Sequence, residues 1–404
     1  MTGPLHGVRV VDITTNISGP TLTMILSDLG AEVIKIERPG SGDETRKMGP
    51  FREGNDGSFF LQLNRNKHSI VIDLKQEKGK EIVKRFIEDA DVFVENFRYG
   101  KAESLGLGYE QLKSINPGLI YASINAYGLK GPDKEKPGYD AIIQANSGLM
   151  GINGAADSDM SRIPVSILDQ GSALWGALGV VSALLSRSQT GKGQKVDTSL
   201  YETGLFWASY HLMAYQFTGK DPVRMGSNHA AFTPYGVFQT GTQPIMIGVS
   251  NDRLFGKLCK VLGKPEWVND PRYQNNPKRV QNRHVLNYEI EMLLKGHTAE
   301  YWIDRLDREG VPASIINKIS DVASSKQTEE LGMFQSVEHS IIPDLSLIRL
   351  PLTLSENNLS IRKSPPLLGE NTRSILANHG YDGAAITQLI ETGVVSDIVQ
   401  QGTS

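Results

Sequence analysis

Cysteine is almost absent from the 404-residue sequence, which contains only Cys259. A single thiol excludes an internal disulfide framework, and it excludes zinc or iron–sulfur sites that need several cysteines. Cys259 lies in a helical pattern of apolar residues at 254–262, so we expect it to pack in a core. So few cysteines are typical of a reducing compartment, and we expect a cytoplasmic location.

A charge excess of either sign is also lacking. The 42 basic and 45 acidic side chains leave a net charge of -3, so we expect neither nucleic acid nor an anionic membrane as a partner. The longest near-continuous apolar run, residues 173–185, is too short to span a bilayer. We interpret that run as a buried helix.

Several catalytic motifs are missing. The sequence has no Walker P-loop, no Gly-x-Ser-x-Gly elbow and no His-Glu-x-x-His zinc motif. Its eight histidines form no close metal-ligand pair, so we expect no metal site. The first strand is not followed by Gly-x-Gly-x-x-Gly, which argues against a nicotinamide cofactor.

What the sequence does have is an alternation of strand and helix patterns. Runs of β-branched residues predict strands at 7–13, 31–37, 69–74, 91–96 and 119–124, and apolar spacing predicts helices at 22–29 and 82–87. Strands that alternate with helices are joined by right-handed crossovers, which give a mostly parallel sheet covered on both faces. We therefore predict a doubly wound α/β fold for this half of the chain.

The pattern changes after about residue 200. Two strands are predicted at 235–239 and 245–249, followed by helices at 254–262, 282–294 and 299–309. We interpret residues 225–325 as a second, smaller α+β domain. A last helix is expected from about residue 384.

Asp169 stands between an apolar run at 164–168 and the apolar helix that follows. A carboxylate there is costly to desolvate, and free N–H groups at the positive end of a helix could stabilise its charge. One interpretation is an ordinary helix N-cap, a position that aspartate favours. The other is a carboxylate nucleophile kept ionised at a helix start. One residue could serve as both.

Nine stretches, in the order of the chain, carry a resemblance to a known family. They are 26–39 (Leu-Ser-Asp-Leu-Gly-Ala-Glu-Val-Ile-Lys-Ile-Glu-Arg-Pro), 42–46, 94–98, 105–109, 128–132, 138–140, 190–194, 310–313 and 366–370. Together they closely resemble the family III CoA-transferases, which include formyl-CoA:oxalate and carnitine CoA-transferases.

The resemblance implies an interlocked homodimer. It implies a Rossmann-like large domain built from residues 1–205 and 330–404, a small domain at 225–325, and linkers at 206–224 and 326–329. Coenzyme A would lie across the large domain as a substrate, with no tightly bound cofactor.

The resemblance also implies a reaction. Asp169 would attack the thioester of an acyl-CoA donor, and the mixed anhydride would be opened by CoA thiolate to an aspartyl-CoA thioester. A carboxylic acid acceptor would then take over the CoA. Succinyl-CoA as donor and a small dicarboxylate as acceptor are the expected pairing.

Five residues occupy motif positions that imply contact with CoA. Arg38 and Lys75 are expected near the adenine and phosphates, Asn96 and Phe97 along the wall, and Lys136 at a phosphate. A solvated surface charge is the alternative for Lys75 and Lys136, and an ordinary loop cation is the alternative for Arg38.

Tyr139 and Asp140 are expected beside the acyl group, with a structural aromatic as the alternative for Tyr139. The α-methylacyl-CoA racemases share the fold but have a His-Asp pair at this position, and tyrosine is a poor base for their proton exchange. A racemase is therefore the alternative function. A CoA-binding protein without turnover and a dinucleotide-binding oxidoreductase also stay open; Asp169 argues against the first and the missing glycine motif against the second.

One segment departs from the family. Its members often carry a run of glycines in the small domain, whereas residues 248–252 here contain one glycine, Gly248. The oxyanion contacts of the family are therefore not assigned in this chain. Asn228 or His229 could contact an acyl carboxylate, or could have only a structural function in its loop.

Overall fold

A computed structural model describes residues 3–53 and 56–397 of the chain. The strands in this part are β1 (Arg9–Asp12), β2 (Glu32–Glu37), β3 (Arg52–Glu53), β4 (Asp56–Gly57), β5 (Lys67–Ile72), β6 (Val92–Glu95), β7 (Ile120–Asn125), β8 (Lys195–Ser199), β9 (Tyr235–Phe238), β10 (Ile245–Gly248), β11 (Ala313–Ile315), β12 (Phe334–Ser336), β13 (Ser346–Ile348) and β14 (Val395–Ser396).

The helices are α1 (Ser18–Asp28), α2 (Ser58–Leu63), α3 (Glu77–Ile87), α4 (Lys101–Ser104), α5 (Tyr109–Ile115), α6 (Asp140–Asn146), α7 (Leu149–Ile152), α8 (Ile167–Thr190), α9 (Leu200–Trp207), α10 (Ser209–Thr218), α11 (Asp252–Val261), α12 (Asn276–Gln281), α13 (Arg283–Leu294), α14 (Ala299–Glu309), α15 (Ile319–Ala323), α16 (Lys326–Glu330), α17 (Thr372–Asn378) and α18 (Gly383–Glu391). Two short 3₁₀ helices cover Glu44–Lys47 and Pro265–Asn269.

The main sheet has seven strands in the order β14-β5-β2-β1-β6-β7-β8. Every neighbouring pair is parallel except β14 with β5. In the central strand β1, Val10 pairs with Val33 on one side and Val92 on the other, and all three are fully buried. A parallel sheet covered on both faces needs such apolar runs, so the predicted α/β architecture is confirmed.

The direction in which the chain adds strands reverses at β1. The strands β2 and β5 lie on one side of β1, and β6, β7 and β8 lie on the other. In doubly wound sheets the loops at the carboxyl ends of the strands open a crevice at this point. The fold thus places the loops that follow β1, β2, β5, β6 and β7 around one crevice.

Two glycines let α8 approach its neighbours closely. A Cβ at Gly176 would lie 2.4 Å from Leu22 of α1, and a Cβ at Gly179 would lie 2.5 Å from Val196 of β8. Both separations are far below van der Waals contact, so a larger side chain at either position would push the helix outward. The glycines therefore fix how deeply α8 packs against α1 and the sheet.

The expectation of a buried helix at 173–185 was only half right. The helix α8 is 24 residues long, and among the described residues it is the one helix that meets the length and apolarity of a membrane span. Its inner face is buried, but Leu174, Leu178 and Leu185 are each more than half exposed. Phe206 and Trp207 of α9 are also exposed.

The described chain divides into two compact units. The first comprises Met1–Leu149, Ile163–Leu212 and Glu329–Ser404, and the second comprises Met150–Arg162 and Met213–Thr328. Residues 150–162, which the sequence interpretation assigned to the large domain, thus group with the second unit. The domain boundaries given above otherwise stay a prediction.

The second unit contains an antiparallel sheet in the order β11-β10-β9. Its core joins apolar residues of this sheet to those of α11, α13 and α14. Cys259 is fully buried in that core, as its helical apolar pattern predicted.

Candidate functional site

A cavity of about 760 Å³ opens at the carboxyl ends of the parallel strands in the first unit. Its walls come from the loops after β1, β2, β5, β6 and β7, together with Leu200 at the start of α9. A cleft of this size can hold a large, elongated ligand. All of the predicted site residues except Asp140 line it: Arg38, Lys75, Asn96, Phe97, Lys136, Tyr139 and Asp169.

The cavity is rich in exposed cations. The Arg38 guanidinium lies 3.2 Å from Glu44, and the Lys136 ammonium lies 2.7 Å from Asp133. Lys75 is exposed and has no ion-pair partner among the described residues. A cation that is not neutralised by the protein is available to an anionic ligand.

Three further cations line the cavity, and the sequence analysis missed them: Arg98, Lys101 and Lys134. Arg98 and Lys101 follow β6 directly, and Lys134 lies in the loop after β7. The sequence offered one signal for these cations, their positions in the segments that follow predicted strands. Parallel strands place all of these segments at the same edge of the sheet, where the cavity opens.

Asn96 and Phe97 follow β6, and their positions are fixed by hydrogen bonds. The Asn96 amide accepts from the backbone N–H of Thr15 at 3.0 Å and donates to the Thr15 carbonyl at 2.7 Å. The buried Glu95 carboxylate accepts the N–H of Phe97 at 2.8 Å. Asn96 therefore holds the loop after β1 as well as lining the cavity.

A pair of buried ions adjoins the cavity, which Asp43 of the pair also lines. The Lys35 ammonium contacts the Asp43 carboxylate at 2.8 Å and donates to the Thr14 carbonyl at 2.9 Å. Burial opposes ionisation of Asp43, but the Lys35 charge together with hydrogen bonds from Lys35 and Thr45 outweighs burial and lowers the pKa of Asp43. The pair ties the loop after β2 to the loop after β1.

A second buried group contains Arg46. Its guanidinium bonds both oxygens of Glu37, at 2.7 and 2.8 Å, and one oxygen of Asp56 at 2.6 Å. Burial disfavours the Glu37 carboxylate, but the bidentate guanidinium outweighs this and lowers the pKa of Glu37. This group fixes the segment that follows Arg38.

Asp169 is the third residue of α8, is partly buried, and lines the cavity. Burial and the neighbouring Asp140 carboxylate raise the pKa of Asp169 to about 7. Among the described residues Asp169 has no ion-pair partner. The sequence analysis expected the helix start to keep this carboxylate ionised, whereas the structure makes its ionised form costly near neutral pH.

The N–H groups at the start of α8 are used by Asp140 and not by Asp169. One oxygen of Asp140 accepts from the N–H of Leu168 at 2.7 Å and of Asp169 at 3.1 Å. The residue in the N-cap position is Ser166. The interpretation of Asp169 as an N-cap is therefore wrong, because Asp140 of α6 supplies that acceptor.

Tyr139 precedes α6 and is 65% exposed on the cavity wall. Its neighbour Asp140 is buried and does not line the cavity. The two adjacent residues thus differ in access to a ligand. The Tyr139 phenol can contact a ligand in the cavity, whereas the Asp140 carboxylate is shielded from the cavity and acts on Asp169.

The segment that departs from the family glycine run lies in the second unit. The N–H of Gly248 donates to the Pro312 carbonyl, and the N–H of Val249 donates to the Pro234 carbonyl. Asn251 accepts the N–H of Leu254 as the cap of α11. These hydrogen bonds belong to the fold of the second unit.

Asn228 and His229 precede β9 in the second unit. The Asn228 side chain accepts from the amide of Asn287 at 3.1 Å, and a His229 ring nitrogen accepts the N–H of Ala231 at 3.0 Å. Both contacts fit the structural interpretation of these residues. Contact with an acyl carboxylate stays a prediction.

Comparison with known proteins identifies the family. The family model described as CoA-transferase family III matches residues 5–372. The chain is 38% identical over 393 residues to the mouse succinyl-CoA:glutarate CoA-transferase, with 97% of this chain and 90% of the relative covered. It is 40% identical over 332 residues to the acetyl-CoA:oxalate CoA-transferase of Acetobacter aceti, with 82% and 85% covered.

A solved structure agrees with these sequence matches. The crystal structure of a CAIB/BAIF family protein from Brucella suis superimposes with a TM-score of 0.84 at 36% identity. The match covers 94% of this chain and 100% of that one. The resemblance drawn from the sequence motifs is confirmed, and the chain is an enzyme that belongs to CoA-transferase family III.

Proposed function

We propose that this enzyme moves CoA from succinyl-CoA to a small dicarboxylic acid, with Asp169 as the nucleophile. The observation that carries the proposal is a carboxylate of raised pKa on the wall of a large cationic cavity. The mouse relative is named for succinyl-CoA and glutarate, which supports this pairing of donor and acceptor. Tyrosine at position 139, where the racemases have histidine, supports transfer over racemisation.

The reaction alternates carboxylates and thiolates. The Asp169 carboxylate attacks the thioester carbon, and CoA leaves as a thiolate, giving an acyl-aspartyl anhydride. The thiolate then attacks the aspartyl carbonyl carbon, which releases the donor acid as a carboxylate and leaves an aspartyl-CoA thioester. The acceptor carboxylate repeats these steps in reverse. One anion enters and one leaves at each step, so no net proton or nucleotide is consumed.

The raised pKa of Asp169 suits this chemistry. A more basic carboxylate is a better nucleophile, and a pKa of about 7 leaves much of it ionised at neutral pH. Acylation converts Asp169 into a neutral anhydride or thioester, so its repulsion with the Asp140 carboxylate is relieved. We therefore expect the acylation rate to rise as the pH increases through about 7.

CoA contributes phosphate groups that need cations. We propose that Arg38 and Lys75 contact the adenine end and its phosphates, and that Lys136 contacts a phosphate. Phe97 supplies an apolar wall, and Tyr139 lies beside the acyl group. All five residues line one cavity, which supports a single extended binding mode.

We also propose a cytoplasmic, interlocked homodimer. The outer face of α8 exposes Leu174, Leu178 and Leu185, and α9 adds Phe206 and Trp207. So large an apolar face is uncommon on a monomer, and a second copy of the chain would cover it. Light scattering coupled to gel filtration should give twice the 44.3 kDa mass of the chain, and a monomer at micromolar concentration would exclude the dimer.

The test of the nucleophile is trapping of the acyl-enzyme. The protein is mixed with succinyl-CoA, treated with hydroxylamine and weighed intact, because hydroxylamine turns an activated aspartyl group into a hydroxamate. We expect a hydroxamate that peptide mapping places at Asp169, and none in Asp169→Ala. The control Asp304→Ala, at a half-exposed aspartate of α14, should still form the adduct.

Two outcomes would contradict this assignment. An adduct that persists in Asp169→Ala would place the nucleophile elsewhere. The absence of an adduct over a panel of acyl-CoA esters, with CoA still bound, would contradict acylation of Asp169 and favour the racemase.

A further inference from the structure

Gln144 is a fully buried side chain of the first unit that the reaction described above does not use. It lies on α6, one turn after Asp140. Its amide oxygen accepts the N–H of Ile163 at 2.8 Å, and its amide nitrogen donates to the Ile163 carbonyl at 3.2 Å and to Asp140 at 2.5 Å. A buried amide bonded on both sides connects α6 rigidly to the segment before α8.

The network continues through Asp140 to the nucleophile. One Asp140 oxygen accepts from Gln144, and the other accepts the N–H groups of Leu168 and Asp169. These three hydrogen bonds hold the Asp140 carboxylate in a fixed position. Asp140 is buried and has no cation paired with it among the described residues, so its negative charge acts on Asp169 without neutralisation.

We propose that Gln144 is a positioning residue that holds the Asp140 carboxylate beside Asp169 and thereby raises the reactivity of Asp169 toward an acyl-CoA. This inference rests on the proposed function, since it assumes that Asp169 is acylated. A fixed like charge disfavours the Asp169 carboxylate and does not disfavour its neutral acyl forms. Gln144 keeps that charge in place although it cannot touch the substrate.

The test is Gln144→Met, which conserves volume but cannot donate a hydrogen bond. One oxygen of the Asp140 carboxylate then loses its hydrogen-bond donor, and the carboxylate is no longer held beside Asp169. With the like charge no longer fixed there, the rate of hydroxamate formation should reach half of its maximum about one pH unit lower than in the wild type, where we expect this midpoint near pH 7. The rate should be measured with succinyl-CoA between pH 5 and pH 9.

A double-variant cycle separates this effect from a loss of folding. Asp140→Asn should shift the midpoint in the same direction, and Gln144→Met added to Asp140→Asn should shift it no further. Gln144→Glu should keep the midpoint near the wild-type position, because a protonated glutamic acid side chain can still donate a hydrogen bond to Asp140. Gln111→Met is the control outside the network: the exposed Gln111 side chain accepts the N–H of Gly108, the residue before α5.

Several results would overturn the inference. They are a uniform loss of rate in Gln144→Met with the midpoint unmoved, an equal further shift in the Asp140→Asn background, or a shift in Gln111→Met. A midpoint in Gln144→Glu that moves as far as in Gln144→Met would also overturn it.

A second readout keeps the two proposals distinguishable. The ¹³C resonance of the Asp169 carboxyl group, assigned by its loss in Asp169→Asn, can be titrated without any acyl-CoA. Failure of the wild type to form an adduct overturns the proposed function. An adduct in the wild type together with an unshifted Asp169 titration in Gln144→Met overturns only the positioning by Gln144.

Discussion

Two groups of carboxylates near the cavity differ in the charge of their nearest neighbour. Glu37 and Asp43 face a guanidinium and an ammonium, and the pKa of each is lowered despite burial. Burial and the neighbouring Asp140 carboxylate raise the pKa of Asp169 to about 7. Burial acts in both groups, but Glu37 and Asp43 have cations that more than offset it, whereas Asp169 has a second carboxylate that adds to it. Glu37 and Asp43 are therefore fixed structural ions, and Asp169 is a basic group.

The largest change in the free energy of unfolding should come from removing Arg46, the cation that holds Glu37 and Asp56. Arg46→Met would leave Glu37 and Asp56 buried without their partner. Loss of one member of a buried ion group costs about 3–5 kcal/mol of unfolding free energy. Urea denaturation of the purified protein, or a steep fall in soluble yield, would report this loss.

An exposed ion pair provides the control for that experiment. Arg308 and Asp304 pair across one turn of α14, and both side chains are more than half exposed. Arg308→Met should cost less than about 0.5 kcal/mol. Equal losses in the two variants would mean that burial of the Arg46 group does not matter.

The next largest change in the free energy of unfolding should be a gain and not a loss. Asp169→Asn removes the carboxylate that faces Asp140. The variant should form no hydroxamate and should be more stable than the wild type at high pH. Because the folded-state pKa is raised, the stability contributed by Asp169 is fully present below about pH 4 and is lost as the pH rises through about 7. Asparagine stays neutral throughout, so the variant should gain about 2 kcal/mol over the wild type at pH 8.

Denaturation at several pH values checks this prediction. The gain of Asp169→Asn over the wild type should be near zero at pH 4 and should grow toward pH 8. A difference that does not change with pH would mean that the pKa of Asp169 is not raised in the folded protein.

Much of this architecture could be predicted from the sequence, because buried parallel strands require runs of β-branched residues. The segment 91–96 contains β6, and the segment 119–124 contains β7 except for its last residue, Asn125. The two-residue strand β14 was missed because its pairing with β5 is set by tertiary contact and not by its own composition. The exposed outer face of α8 was missed for a related reason: apolar residues do not show what covers them.

The residues that line the site were also predictable from the sequence, but the contacts between them were not. Asp169 was singled out by its position between two apolar segments, and the family resemblance added Arg38 and Lys75. All three line one cavity. The pairing of Asp140 with the start of α8 joins residues 28 and 29 positions apart, so no local pattern could reveal it. The raised pKa of Asp169 was missed with it, because that shift depends on how far the fold buries the carboxylate and on which charge the fold brings near.

The smallest effect that we expect concerns Lys75, which has no ion-pair partner in the part of the chain that the structure describes. Lys75 is exposed, so Lys75→Ala should leave stability unchanged but raise KM for succinyl-CoA about two- to five-fold, as expected for one exposed contact between charges. The matched control is Lys78→Ala, at an exposed lysine of α3 outside the cavity, which should leave KM unchanged. Measuring KM of both variants with succinyl-dephospho-CoA, which lacks the 3′-phosphate, identifies the phosphate that Lys75 contacts. If Lys75 binds the 3′-phosphate, Lys75→Ala should not change KM for this substrate. An unchanged KM for succinyl-CoA in Lys75→Ala at low salt would leave Lys75 as a solvated surface charge.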